Sequence, residues 1–140
     1  MKYPEHCKKI ISYPIIVLEE EGRKITFKNN NENIRKVRVD DCAIEDGIRC
    51  DWLLIRSDNK EFFVELKGKN LEHAFKQIEK SIEKISDNPK KGNKNIYIVI
   101  SRSPIKSSQI QFKEEYFRKK YNAKKLLIRE IMPEIDIQTA

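Results

Sequence analysis

Two carboxylates and a lysine stand at the ends of two strand-like runs that are otherwise apolar. The stretch 48–69 holds the run Trp52-Leu53-Leu54-Ile55, a turn at Ser57-Asp58-Asn59-Lys60, and the run Phe62-Phe63-Val64, which continues into Glu65-Leu66-Lys67. Alternate strand residues share a face, so Glu65 and Lys67 point one way and Leu66 the other. In a hairpin turning near Asp58-Asn59, Asp51 falls opposite the end of the second strand, close to Glu65 and Lys67. Burying an isolated charge is costly, so these groups must be exposed or paired. Two carboxylates supply the hard oxygen ligands that magnesium takes, together with water and substrate phosphate oxygens. A neighbouring ammonium can hold a phosphate or assist the loss of a proton from water. The alternative reading is a solvent-exposed hairpin end carrying a surface ion pair, which contributes little.

The elements that must position these residues follow from periodicity. A three-stranded meander is expected over about 35–44, 49–56 and 61–67, with Glu45-Asp46-Gly47 as the turn into the Asp51 strand. Asp40 or Asp41 then lies on a neighbouring strand and is an additional acidic candidate, with an exposed strand end as the alternative. Gly68-Lys69-Asn70 ends the third strand, and Asn70 suits a helix N-cap. The clearest helix covers 71–86, with Leu71, Ala74, Phe75, Ile78, Ile82 and Ile85 on one face. Gln77 flanks that stripe, between His73 and Ser81. The basic loop 86–94 ends the helix at Pro89 and Gly92. Ile96-Tyr97-Ile98-Val99-Ile100 reads as a buried strand, and a strand reached through a helix favours parallel pairing. A second, basic helix is expected over about 108–121, capped by Ser107 or Ser108, then a last core strand at Leu126-Leu127-Ile128. Upstream, 8–28 reads as a hairpin turning at Glu20-Glu21-Gly22-Arg23, and 1–12 holds a short helix at most. The tail from Pro133 reads as an edge strand or as disorder.

Composition narrows the class. With 39% hydrophobic and 36% charged residues among 140, one modest core under a charged surface is expected, and no run approaches the roughly 20 apolar residues of a membrane span. The N-terminus lacks the apolar core of a secretory signal, so a cytoplasmic protein is expected. Three cysteines, Cys7, Cys42 and Cys50, without CxxC spacing argue against a disulfide framework or a zinc site. Cys42 and Cys50 are read as small core residues. The positive charge is concentrated: residues 87–125 hold 11 Lys+Arg against 3 Asp+Glu, whereas 1–86 are nearly balanced at 17 against 16. Such a field suits a polyanion.

Asp51, a hairpin, then Glu65-Leu66-Lys67 ending an apolar strand before an amphipathic helix resembles the PD-(D/E)xK nuclease superfamily. Its restriction-endonuclease-like fold is shared with archaeal Holliday-junction resolvases. The resemblance covers roughly 36–101, about half of the chain. It implies an α/β fold: a mixed central sheet flanked by helices, preceded by an N-terminal β-hairpin. On that reading 1–34 is a hairpin extension, 35–101 the catalytic core, and 102–140 a basic helix and final strands, all within one domain. It also implies that Asp51, Glu65 and the carbonyl of Leu66 hold Mg2+ (or Mn2+), that Lys67 assists hydrolysis, and that Gln77 orients substrate or water. Lys69, Lys90, Lys91, Lys94, Arg102 and Lys106 would meet the nucleic-acid backbone. The activity implied is metal-dependent phosphodiester hydrolysis, on DNA more than RNA, by a homodimer or with a partner subunit. The chain departs from the family in lacking a convincing acidic N-terminal helix. The competing function is a catalytically inactive module of the same fold that binds nucleic acid or a protein partner within a larger complex.

Overall fold

In the computed structural model, which describes residues 2–68, 70–101 and 106–140 (backbone alone at 67 and 68), the chain forms two sheets and two long helices. After a 3-10 turn at Glu5–Cys7 come β1 (Lys8–Ile11), β2 (Ile15–Glu20), β3 (Arg23–Lys28), β4 (Ile34–Arg38), β5 (Trp52–Ile55) and β6 (Glu61–Gly68). Then follow α1 (Leu71–Ile85), β7 (Lys94–Ile100), α2 (Ser107–Tyr121), β8 (Lys125–Arg129) and the short β9 (Ile135–Asp136). The large sheet has the order β1-β4-β5-β6-β7-β8. Its first four strands are antiparallel neighbours, and β6, β7 and β8 run parallel. Each parallel step passes through one of the helices, as parallel pairing requires.

Alternation decides the layers. Phe62, Val64 and Leu66 of β6 turn to one side, where they pack with Ile16, Leu18, Ile25 and Phe27 of the small sheet β2-β3-β9. Phe27 and Tyr97 meet edge to face with centroids 5.6 Å apart. On the other side Leu53, Phe63, Ile96 and Ile98 pack with Ala74, Phe75, Ile78 and Ile82 of α1 and with Phe117 and Tyr121 of α2. Both faces of the central strands are therefore covered. Burying each large apolar side chain contributes about 1.5–3 kcal/mol, and β5, β6 and β7 carry apolar residues on both faces because they serve two cores. Among the described residues no helix is long and apolar enough to cross a membrane.

The mixed α/β sheet matches the sequence reading, as do the hairpin, α1 and the Asn70 cap, whose side chain accepts from the amide of His73. Glu21 and Gly22 both have positive φ, which a two-residue hairpin loop needs to match the strand twist. Four details differ. Residues 8–11 form an edge strand on β4, outside the β2–β3 hairpin in which 8–28 was read and in place of the short helix allowed over 1–12. The strand expected over 35–44 stops at Arg38, and 39–50 is a looped segment with Asp41 and Gly47 at positive φ. Cys42 lies in that loop and is joined to Cys7 by a disulfide, with Cα atoms 5.6 Å apart. Pairing of β1 with β4 brings Cys7 alongside the exit of β4, a long-range event that cysteine spacing does not encode. Finally, α2 has no serine cap; its N-cap is Lys106, with no side-chain hydrogen bond.

A buried ion pair holds the starts of β6 and β7. Lys94 is wholly buried, and its Nζ lies 3.5 Å from Glu61 Oε1. Lys94 also donates to the carbonyls of Asn88 and Lys91 at 2.6 and 2.9 Å. Glu61 accepts from Ser86 Oγ at 2.6 Å and from the Asp87 amide at 3.1 Å, tying the end of α1 to the sheet. Burial still pulls the Lys94 ammonium below its ordinary range, against the attraction of Glu61. Removing one partner of such a pair leaves the other charge uncompensated, at a cost on the order of 3–5 kcal/mol. Lys94→Met is expected to lose about that much in urea unfolding. The double variant with Glu61→Gln should lose less than the sum of the two single losses; strict additivity would show that the pair is uncoupled.

Candidate functional site

The β5–β6 register places the two acids. Trp52 pairs with Val64 and Leu53 with Phe63; one step further, Asp51 donates its amide to the carbonyl of Val64 at 3.1 Å. Asp51 thus stands across from Glu65, and both side chains take the face shared with Leu53 and Phe63, beneath α1. Asp51 is 3% exposed and Glu65 is fully buried. The amide of Leu66 donates to Asp51 Oδ2 at 2.8 Å, which orients the carboxylate. Leu66 therefore meets Asp51 through its amide, while its side chain is buried in the opposite layer.

Asp51 lies at the floor of a cleft of about 250 Å³ that is also lined by Asp40, Arg49, His73 and Gln77. The cleft wall is the 39–50 loop, and several polar contacts hold it. Arg49 Nε donates to Asp40 Oδ1 at 2.8 Å, and its Nη2 donates to Asp41 Oδ1 at 2.6 Å. Gln77 Nε2 donates to the carbonyl of Arg49 at 3.0 Å. Ser81 Oγ accepts from the amide of Cys50 at 2.8 Å and donates to the carbonyl of Gln77 at 2.8 Å. Burial pushes the Cys50 thiol well up from its ordinary range, and the nearby charges of Glu65 and Asp51 push it further, despite an opposing hydrogen bond to Ser81. Cys50 is thus a protonated core residue beside the acids, as the sequence reading held.

The expected residues divide into groups. Asp51, Glu65, Leu66 and Gln77 converge at the C-terminal end of β6. The Lys67 side chain, Lys69 and Arg102 lie outside the described residues. Lys106 is exposed at the start of α2. Lys90, Lys91 and Lys94 do not converge with the acids. They cluster where β6 and β7 begin, since Glu61 pairs with Lys94 and Gly68 with Ile100. Glu61 precedes Glu65 by four residues, roughly 13 Å along a strand. Lys90 and Lys91 are exposed there, whereas Lys94 is buried on Glu61 and is not placed to meet a nucleic-acid backbone. Of the two further acids, Asp40 lines the cleft, and Asp41 is turned onto Arg49.

Sequence reasoning did not single out Arg49, which organises the loop, nor give His73 a role. The available signal for His73 was its spacing, one helical turn before Gln77 on α1. Chemically, the cleft offers hard oxygen donors at its floor, a neutral amide and an imidazole on its helix wall, and an arginine paired with acids at its rim.

No protein-family model, curated protein or solved structure matches this chain.

Gln77→Ala removes the amide that ties α1 to the Arg49 carbonyl. A loss of about 1 kcal/mol in global stability is expected, with faster amide hydrogen exchange confined to 45–50. Unchanged exchange in that segment would mean that Gln77 does not hold the loop.

Proposed function

We propose that this chain is a divalent-cation-dependent nuclease of the restriction-endonuclease-like class, acting on DNA more than RNA. One observation carries the reading: Asp51 and Glu65 stand across from each other on adjacent strands, on one face, with Asp51 opening into a cleft at the sheet end. Two carboxylates on rigid strands are a donor set that fits magnesium or manganese, with the carbonyl of Leu66 as a further oxygen and Asp40 nearby. A bound cation would supply charge stabilisation for phosphoryl transfer.

The chain's own residues then have distinct tasks. Asp51, held by the Leu66 amide, and Glu65 hold the cation. Lys67, two residues after Glu65 in the sequence, activates the attacking water or holds a phosphate oxygen. Gln77 keeps the cleft wall in place through Arg49 and presents its amide at the cleft. Lys69, which follows β6, and Arg102 and Lys106, which follow β7, suit contacts to the phosphate backbone. Lys90 and Lys91 suit a more distant stretch of the same polyanion.

The full burial of Glu65 favours a second reading, a nuclease-like module that binds nucleic acid or a protein partner without cutting. The two are separated by incubating plasmid, single-stranded and branched DNA, and RNA, with Mg2+, Mn2+ or EDTA. Wild type is compared with Asp51→Asn, Glu65→Gln and Lys67→Ala. Cleavage that needs the cation and falls about 100-fold or more in each variant is expected. Salt-sensitive binding without cleavage by wild type would instead support the module. Cleavage that survives all three substitutions would overturn the site.

A further inference from the structure

We propose that His6, Cys7 and Cys42 form a zinc site when the Cys7–Cys42 disulfide is reduced, so that the N-terminal segment is fastened to the 39–50 loop in either redox state. The ligand atoms of these three residues all lie within 4.8 Å of one another. A tetrahedral zinc with Zn–S near 2.3 Å and Zn–N near 2.0–2.1 Å needs its ligand atoms roughly 3.5–3.8 Å apart. Only a small adjustment of His6 and separation of the two sulfurs are required. Two thiolates and an imidazole are soft and borderline donors that select zinc over magnesium, which distinguishes this site from the oxygen donors at Asp51.

The backbone presents the three donors independently of the sulfur–sulfur bond. His6 and Cys7 lie in the 3-10 turn, closed by the Cys7 amide donating to the carbonyl of Pro4 at 3.0 Å. Immediately afterwards Lys8 pairs with Val37. On the other side, the amides of Cys42 and Ala43 donate to the carbonyls of Val39 and Arg38 at 3.3 and 3.1 Å. Losing the disulfide therefore leaves both thiols facing each other. Cys7 is buried, and the approach is from the side of His6, which is exposed, and Cys42, which lines a surface cleft of about 490 Å³ with Pro4, Glu45 and Asp46. A solvent molecule can take the fourth position.

The chemistry balances in two steps. A dithiol reductant is oxidised to its own disulfide as the Cys7–Cys42 bond breaks, and each sulfur takes up a proton. Zinc then replaces those two protons, binding both thiolates and the His6 imidazole. Cys50 takes no part, because it is buried against Ser81 and the two acids.

The test uses the full chain, reduced with a phosphine and freed of it anaerobically, then titrated with Co2+ and with Zn2+. One equivalent of Co2+ should give a thiolate-to-cobalt charge-transfer band. Oxidised protein, Cys7→Ser and Cys42→Ser should lack the band, and His6→Ala should weaken binding about tenfold or more. Zn2+ should displace the Co2+ and should protect Cys7 and Cys42 of the wild type from alkylation, read by mass spectrometry without any variant. Reduced wild type with no charge-transfer band, or with Cys7 and Cys42 alkylated equally with and without Zn2+, would overturn the site.

Discussion

Trp52 opposes Val64 and Leu53 opposes Phe63 across β5 and β6, and this pairing register decides which layer every neighbouring side chain enters. Because side chains alternate with a period of two, a slip of one residue would turn the set over. With β6 slipped against β5, Phe63 would leave the helix layer and Glu65 would enter the largely apolar core between the sheets. The apolar demand of two different cores holds the register. Phe62, Val64 and Leu66 fill one, and Phe63 fills the other. The acids are thereby carried to a fixed place by residues that have no chemistry of their own.

The sheet has two polar ends with different physics. Where β6 and β7 start, Glu61 and Lys94 are buried together and their hydrogen-bonding capacity is met by Ser86, Asp87, Asn88 and Lys91. This end is closed, and it joins the exit of α1 to the sheet. Where β6 ends, Asp51 borders a cleft. The proposed chemistry belongs to the open end, where Asp51 lines the cleft. The same division separates the basic residues, with Lys90, Lys91 and Lys94 at the closed end. A polyanion reaching both ends would have to follow the surface over the length of a strand.

The 39–50 loop is what makes the open end a cleft. Several kinds of fastening converge on it: the ion pairs of Arg49 with Asp40 and Asp41, the amide of Gln77 on the Arg49 carbonyl, the hydroxyl of Ser81 on the Cys50 amide, and the covalent link from Cys42 to Cys7. The backbone needs them, because Asp41 and Gly47 adopt positive φ and the regular ladder ends before Val39. A site resting on such a loop is positioned by tertiary contacts more than by strand geometry. A zinc site at His6, Cys7 and Cys42 would preserve one of these fastenings under reducing conditions.

Local pattern carried much of this reading. The run Phe62–Lys67 with its preceding turn set the β5–β6 hairpin, the stripe from Leu71 to Ile85 set α1, and Glu21-Gly22 set the β2–β3 turn. Each of these depends on contacts between residues close in the chain, so periodicity and turn chemistry suffice. The opposition of Asp51 and Glu65 was legible for the same reason, since a short hairpin allows few registers. The edge strand Lys8–Ile11, the disulfide between Cys7 and Cys42, the burial of Lys94 on Glu61 and the pairing of Arg49 with Asp40 were decided by the tertiary structure alone. In three of these, segments joined by no short turn are brought together by packing. Arg49 reaches back across a loop whose path no periodic pattern specifies. A lysine in a basic loop and a cysteine without motif spacing look the same in sequence whether they end in solvent or in the core, because partners that folding brings together determine which they become.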